Sequence, residues 1–177
     1  EQIIVIGAGF AGLWSAISAA RKLEELGIES DRAAVTVINR DTWHSIRVRN
    51  YESNLDQIRV PLDSVLSPVG INLKVGEVTG INQKAGSVVV TTSSGVEEIK
   101  YSRLIIASGS RISLPDIPGL AQHALNIDTF AGAETLDRHL KSLLIKPPTI
   151  DRDTVLVIGA GLTGIELASE LPNRLRV

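Results

Sequence analysis

The sequence predicts an α/β fold: a parallel sheet that carries a β-meander, followed by the start of a second unit of the same kind. Three observations predict it. Two glycine-rich stretches, "IIVIGAGFAGLWSA" from Ile3 and "VLVIGAGLTGIELA" from Val155, each follow a β-branched apolar run and precede residues at helical spacing. Set against each other at an offset of 152 residues, they share seven of fourteen positions, including every glycine. Between them lie short strand-like runs broken at Gly86 and Gly95, the pattern of antiparallel strands joined by turns.

The elements follow in order. "QIIVI" (2–6) reads as a buried strand and "FAGLWSAISAARKLEELG" as a helix closing on Gly27, with Leu13 and Trp14 expected to fill the core beneath the sheet. "AAVTVIN" (33–39) is the next buried strand and completes a β-α-β unit. "VPLDSVLSPVG" predicts one short helix between prolines. "INLKVGEVTGINQ", "SVVVTTSS" and "VEEIKYS" predict the meander strands, and "RLIIASG" another buried strand. "SLPDIPGL" (113–120) is a proline-marked connection. "DTFAGAETLDRHLKSLL" has amphipathic spacing, with Asp128 as the expected cap, and "KPPTIDRD" reads as a linker. "TVLVIGAGLTGIELASEL" then repeats the opening strand, turn and helix.

Composition narrows the function classes. With 44% hydrophobic and 21% charged residues the chain can build a core, whereas a net charge of −2 and 3% aromatics leave no basic surface or stacking platform for nucleic acid. No apolar run approaches the ~18 residues of a membrane span. Cysteine is absent, which excludes disulfides, thiolate metal sites and a dithiol redox pair within these residues. His44, His123 and His139 lack metal-ligand spacing and are expected in ordinary surface or hydrogen-bonding roles, so no metal site is predicted. Arg47, Arg49 and Arg59 alternate with Glu52 and Asp56, which predicts a solvated face.

The glycines carry the chemistry. In a G-x-G-x-x-G turn the first (Gly7, Gly159) permits the tight turn and the second (Gly9, Gly161) lets backbone approach a pyrophosphate. The third (Gly12, Gly164) lets the helix sit close to its strand, with its N-terminal amides facing the anion. Phe10 and Ala11, and Leu162 and Thr163, are the residues between, and all ten are predicted to bind a dinucleotide. One copy is a weak signal; two in strand-turn-helix context are a strong one. A P-loop is excluded because Leu13-Trp14 and Ile165-Glu166 stand where Lys and Ser or Thr would be needed, and "ASGSR" lacks the spacing of a nucleophile elbow.

With these motifs, "RLIIASGSRISLPDIPGL" and "GEVTGIN", the whole chain resembles the N-terminal half of the FAD-dependent pyridine nucleotide-disulfide oxidoreductase superfamily. The branch it most resembles is that of the type II NADH dehydrogenases, through "VINRDTWHSIRVRNYE" and "GLTGIELASEL". The resemblance implies a Rossmann-like FAD-binding domain over 1–115, a crossover and linker helix over 116–150, and the start of a Rossmann-like NAD(P)-binding domain over 151–177. It implies that the first motif holds FAD and the second NAD(P)H, with hydride passing to flavin and electrons to a quinone-like small-molecule acceptor. Ala107, Ser108 (threonine in the family pattern) and Gly109 belong to its second FAD segment, and the backbone around Val78 to its adenine contact. Glu166 is implied at the nicotinamide-flavin junction, although a carboxylate early in a helix is also favoured by the helix dipole alone. The implied location is cytoplasmic, any membrane docking being supplied beyond these residues. The chain is expected to be part of a longer protein and inactive by itself.

One position departs from the pattern. Where an acid would hold the ribose hydroxyls stands Asn39, which keeps the hydrogen bonds but loses their charge assistance. Asp41 is either a substitute or the start of a turn, and Arg40 lies near the adenine or its phosphate, or on the surface. Two alternatives stay open: a non-catalytic dinucleotide-binding or sensing module, and an FAD-containing reductase of a small iron-sulfur protein.

Overall fold

The computed structural model describes residues 1–175, which pack as two compact units: Glu1–His44 with Val60–Ser110, and Ser45–Arg59 with the chain from Arg111 onward.

The first unit is built on a four-stranded parallel sheet. Its strands are β1 (Gln2–Ile6), β2 (Ala34–Asn39), β5 (Asn72–Val75) and β9 (Arg103–Ile106), in the order β5-β2-β1-β9. Two short strands, β3 (Trp43–Ser45) and β4 (Arg59–Pro61), lie between β2 and β5 in the chain. The central pair is in register Ile4↔Thr36 and Ile6↔Ile38, and β1 meets β9 at Ile4↔Leu104. Alternation along β1 sends successive side chains to opposite faces. Val5 packs with Leu13 and Ala16 of helix α1 (Phe10–Glu25) and with Val35 and Val37, while Ile4 and Ile6 pack with Ile38, Val88 and Val90 on the other face. Both faces are covered, which is why these strands read as unbroken apolar runs. Burying each such side chain is worth roughly 1.5–3 kcal/mol.

The second cover is the predicted meander: β6 (Glu77–Asn82), β7 (Ser87–Thr92) and β8 (Gly95–Lys100), antiparallel throughout and bulged between Val78 and Gly80. It lies in the chain between parallel strands β5 and β9. Before it, α2 (Asp63–Leu66) and a 3-10 turn (Ser67–Val69) form the predicted proline-flanked helix, and Leu62 and Leu66 are fully buried.

Trp14 corrects an expectation. It is 63% exposed, whereas Leu13 is buried. Leu13, Ala16, Ile17 and Ala20 share the sheet-facing stripe of α1, and a rotation of ~100° per residue puts the position after Leu13 outside it.

The second unit contains α3 (Leu120–His123), α4 (Phe130–Leu143) and α5 (Leu162–Leu175), the last with Pro172 inside it. Ile127, Ala133, Leu136, Leu140 and Leu171 form its core, joined by Tyr51, Leu55 and Val157. The arginines taken for a solvated face are partnered. Arg47 pairs with Asp128, Arg49 makes two bonds to Glu52 (Nη2 to Oε2 at 2.6 Å), and Arg59 lies 3.5 Å over the Phe130 ring. The cap of α4 also differs from expectation: Thr129 accepts from Gly132 N–H at 3.1 Å. Asp128 is occupied by Arg47 and by Ile112 N–H at 3.2 Å.

Residues 154–158 were expected as a strand and form none. A strand is defined by hydrogen bonds to a neighbour, and none of the described residues supplies a neighbouring strand here. Leu156 and Ile158 accordingly stand 81% and 68% exposed.

Candidate dinucleotide site

The C-terminal ends of β1, β2 and β9 bring predicted segments together. Since β1 has β2 on one side and β9 on the other, its end is a point where strand order reverses, the place where open α/β sheets hold their ligands. Gly7 takes φ +94° and its N–H donates to Ile38 O at 2.8 Å. A Cβ on Gly7 would stand 2.4 Å from Ala107 O, and one on Gly12 would stand 1.9 Å from Gly7 O. The turn is therefore pressed between the β9 end and the first turn of α1, with no room for a side chain at either glycine. Ala107 is fixed in turn by its N–H, which donates to Ile6 O at 2.8 Å. Beyond it Ser108 is exposed and Gly109 has φ +73°.

Gly9 is the opposite case. It is exposed, and a Cβ there would meet nothing within 4 Å. It is the N-cap of α1, no side chain caps the helix, and the first bond of the helix runs from Leu13 N–H to Gly9 O at 2.9 Å. The amides of Gly9, Phe10, Ala11 and Gly12 are thus left without intrahelical acceptors beside open space, a donor set that fits a diphosphate.

The strand-end residues are engaged with this turn. Asn39 Oδ1 accepts from Ala8 N–H at 3.0 Å, and Asn39 Nδ2 donates to Asp41 O at 3.0 Å and to Asp41 Oδ1 at 3.2 Å. Asp41 Oδ1 also accepts from Trp43 N–H at 2.8 Å, so Asp41 closes a turn beside the end of β2. Arg40 is exposed. His44, which the sequence left in an ordinary role, is buried to 5% exposure. Its Nδ1 lies 2.7 Å from Ala8 O, and its ring meets Phe10 edge-on with centroids 4.9 Å apart. The Trp-His pair after the strand was the only signal for it. Val78 packs against the Ile4 and Ile38 cluster, two residues after Gly76, whose N–H donates to Asn39 O at 2.8 Å.

The second motif repeats the turn and helix start within its own unit, without the strand before it and with nothing within 4 Å of a Cβ on Gly159. Gly159 has φ +107°, a Cβ on Gly164 would stand 2.0 Å from Gly159 O, and one on Gly161 would meet nothing within 4 Å. Ile165 N–H donates to Gly161 O at 3.1 Å, so the amides up to Gly164 again lack intrahelical acceptors. Leu162 and Thr163 are exposed, and Glu166 is half-buried on the same helix. An open recess of about 640 Å³ in this unit, beside Asp56, Glu134, Asp137, Arg138 and Lys141, mixes both charges.

A family model for pyridine nucleotide-disulphide oxidoreductases matches residues 1–175. The chain belongs to this family. It is 48% identical over 174 residues to an NADH dehydrogenase-like protein of Mycobacterium tuberculosis, covering 98% of this chain and 43% of that protein. To a type II NADH:quinone oxidoreductase of Staphylococcus aureus it is 30% identical over 185 residues, covering 99% and 44%. It therefore spans less than half the length of the curated relatives it matches. A solved NAD-dependent persulfide reductase from A. fulgidus shares the fold with a TM-score of 0.79 at 23% identity, over 99% of this chain and 32% of that one. The NDH2 of Plasmodium falciparum in complex with NADH does so with a TM-score of 0.75 at 18% identity, over 98% and 37%. The recognised superfamily and the Rossmann-like α/β architecture with its meander are thereby established, and the family is one of oxidoreductases. No helix among the described residues is long and apolar enough to cross a membrane, and no cluster of potential metal ligands occurs among them.

Proposed function

We propose that this chain is the nucleotide-binding N-terminal part of an FAD-dependent NAD(P)H dehydrogenase, with FAD held at the first motif, NAD(P)H at the second, and a quinone-like small molecule as electron acceptor. The observation that carries the reading is the uncapped start of α1, whose amides border open space at Gly9 where the sheet order reverses. Bound there, FAD supplies the hydride-accepting ring while the protein supplies position and charge. Gly9, Phe10, Ala11 and Gly12 hold the diphosphate by main-chain N–H groups. Ser108 and Gly109 border the same groove, and Asn39, Arg40 and Val78 lie toward the adenosine. At the second motif Gly159, Gly161, Leu162, Thr163 and Gly164 repeat the cradle, and Glu166 places a carboxylate near the nicotinamide. The quinone-like acceptor is supported by the name of the Staphylococcus aureus relative.

The test is the visible spectrum of the full-length protein. It is expected to be yellow and to bleach when NADH is added without oxygen, and Glu166→Gln is expected to slow the bleaching while FAD stays bound. A colourless protein that ignores NADH sinks the reading. A second reading, dinucleotide sensing without turnover, is favoured by one observation: both ends of the Asn39 amide are committed to Ala8 and Asp41. It predicts binding of a dinucleotide with no bleaching. Reduction of a small iron-sulfur protein, rather than a quinone, is separated from the main reading by offering each acceptor in turn.

A further inference from the structure

We infer that His44 is a positioning residue of the dinucleotide site: its buried imidazole fixes the peptide that aims the Gly9 N–H into the ligand groove. The inference rests on the first motif binding FAD, as proposed above, and adds to it a residue outside the glycine turn.

A carbonyl oxygen only accepts, so at 2.7 Å from Ala8 O the His44 Nδ1 must carry the proton and donate. In a trans peptide the C=O and the N–H of the next residue point in opposite directions. Holding the Ala8 carbonyl inward therefore turns the Gly9 N–H outward, to the side where a Cβ on Gly9 would meet nothing within 4 Å. The preceding peptide is fixed in the same manner. Asn39 Oδ1 accepts from Ala8 N–H at 3.0 Å, which turns the Gly7 carbonyl the other way, toward the site of the missing Gly12 side chain, 1.9 Å from where its Cβ would stand. Two successive peptide planes around Ala8, itself 2% exposed, are thus set by two side chains, one from the last residue of β2 and one from β3. The edge of one aromatic ring against the other, Phe10 with His44 at 86° and 4.9 Å, keeps the imidazole in place beneath the helix start. An amide already aimed spares the ligand the cost of ordering it, so its effect belongs to affinity.

The experiment compares His44→Phe, His44→Asn and His44→Gln in the full-length protein. Phenylalanine keeps a ring against Phe10 but has no donor. Asparagine places an N–H where Nδ1 was, and glutamine places one where Nε2 was. FAD affinity is expected to fall about ten-fold in H44F, the scale of one lost hydrogen bond, with NADH affinity at the second motif unchanged. H44N is expected to recover to within about three-fold of the parent, and H44Q to stay near H44F. Equal FAD affinity in all four proteins, or equal losses in H44N and H44Q, overturns the assignment. If H44F does not fold, the H44N and H44Q pair decides alone. Amide hydrogen exchange over residues 7–13 without FAD gives the second readout. Faster exchange in H44Q than in H44N is expected, and no difference overturns the role. If the parent protein itself binds no FAD, the functional proposal fails, and the exchange experiment still decides on His44.

Discussion

Three glycines within six residues meet three different neighbours, and substituting each has a different expected result. At Gly7 and Gly12 an added Cβ falls 2.4 Å and 1.9 Å from main-chain oxygens that cannot swing away, and Gly7 also sits at φ +94°. Alanine at either position must displace the turn from the β9 end or from α1, at a cost of order 1–3 kcal/mol or more, with loss of FAD. Gly9 has φ −69°, which alanine adopts freely, and open space where its methyl would point. Gly9→Ala is therefore expected to leave the thermal midpoint of the apo-protein within about two degrees of the parent while weakening FAD binding at least ten-fold. Thermal melts and FAD titration on the same samples check this; a G9A protein that binds FAD normally removes the diphosphate from this turn. The tight approaches at Gly7 and Gly12 were legible because the G-x-G-x-x-G spacing encodes them, while the diphosphate contact it assigns to Gly9 belongs to the proposal. The hydrogen bonds of Asn39 and His44 to Ala8 were not legible, because a side chain serving a peptide 31 or 36 residues earlier leaves no periodicity to read. Trp14 misled for a related reason: its size argued for burial, while its place one step around the helix from Leu13 decided for exposure.

The buried strands were legible as elements because both faces of the sheet are covered, by α1 on one side and by the meander on the other, so that every residue of β1 from Ile4 to Ile6 is apolar and buried. The segment from Thr154 to Ile158 has the same composition and no strand hydrogen bonds, which shows that apolar β-branched sequence specifies a tendency and a neighbour realises it. The contact of α4 with α5 was not legible at all. Arg174, whose side chain is 5% exposed, reaches Asp137 Oδ1 at 3.1 Å and Tyr51 O at 3.3 Å, and Lys141 Nζ lies 2.7 Å from Asp137 Oδ2. Burial pushes the Asp137 carboxyl up, but the hydrogen bonds and charges of Lys141 and Arg174 outweigh it and hold its pKa below the ordinary 3.8. A carboxyl whose folded value is depressed stabilises the fold fully above its unfolded value, and this stability is lost as the pH falls through the folded one. The stabilisation is expected to be complete at neutral pH and to disappear on acidification below 3.8. Asp137→Asn leaves the nearly buried Arg174 without its counter-charge and is expected to cost about 1–3 kcal/mol at pH 7, with the difference from the parent shrinking in strong acid. Denaturant melts of both proteins across that range measure it, and a constant difference at every pH rules out the carboxylate as the source.

At the scale of the whole chain, one construction occurs twice in two separate units, and this repetition allows the assignment of cofactors to motifs to be tested without chemistry. Gly9 and Gly161 are equivalent: each caps a helix, each would direct a Cβ into open space, and each is followed by amides free of intrahelical acceptors. Gly161→Ala is therefore expected to fold like the parent, keep FAD and lose NADH affinity by ten-fold or more, as the mirror of Gly9→Ala. Because the two positions belong to different compact units, each substitution is expected to act on its own ligand and their free energies to add in the double variant. FAD and NADH titrations of the parent, both single variants and the double variant separate the possibilities. If G161A loses FAD and keeps NADH, the assignment of the two motifs is reversed. If G9A and G161A weaken the same ligand, the chain binds one dinucleotide rather than two, and the dehydrogenase reading gives way to the sensing module.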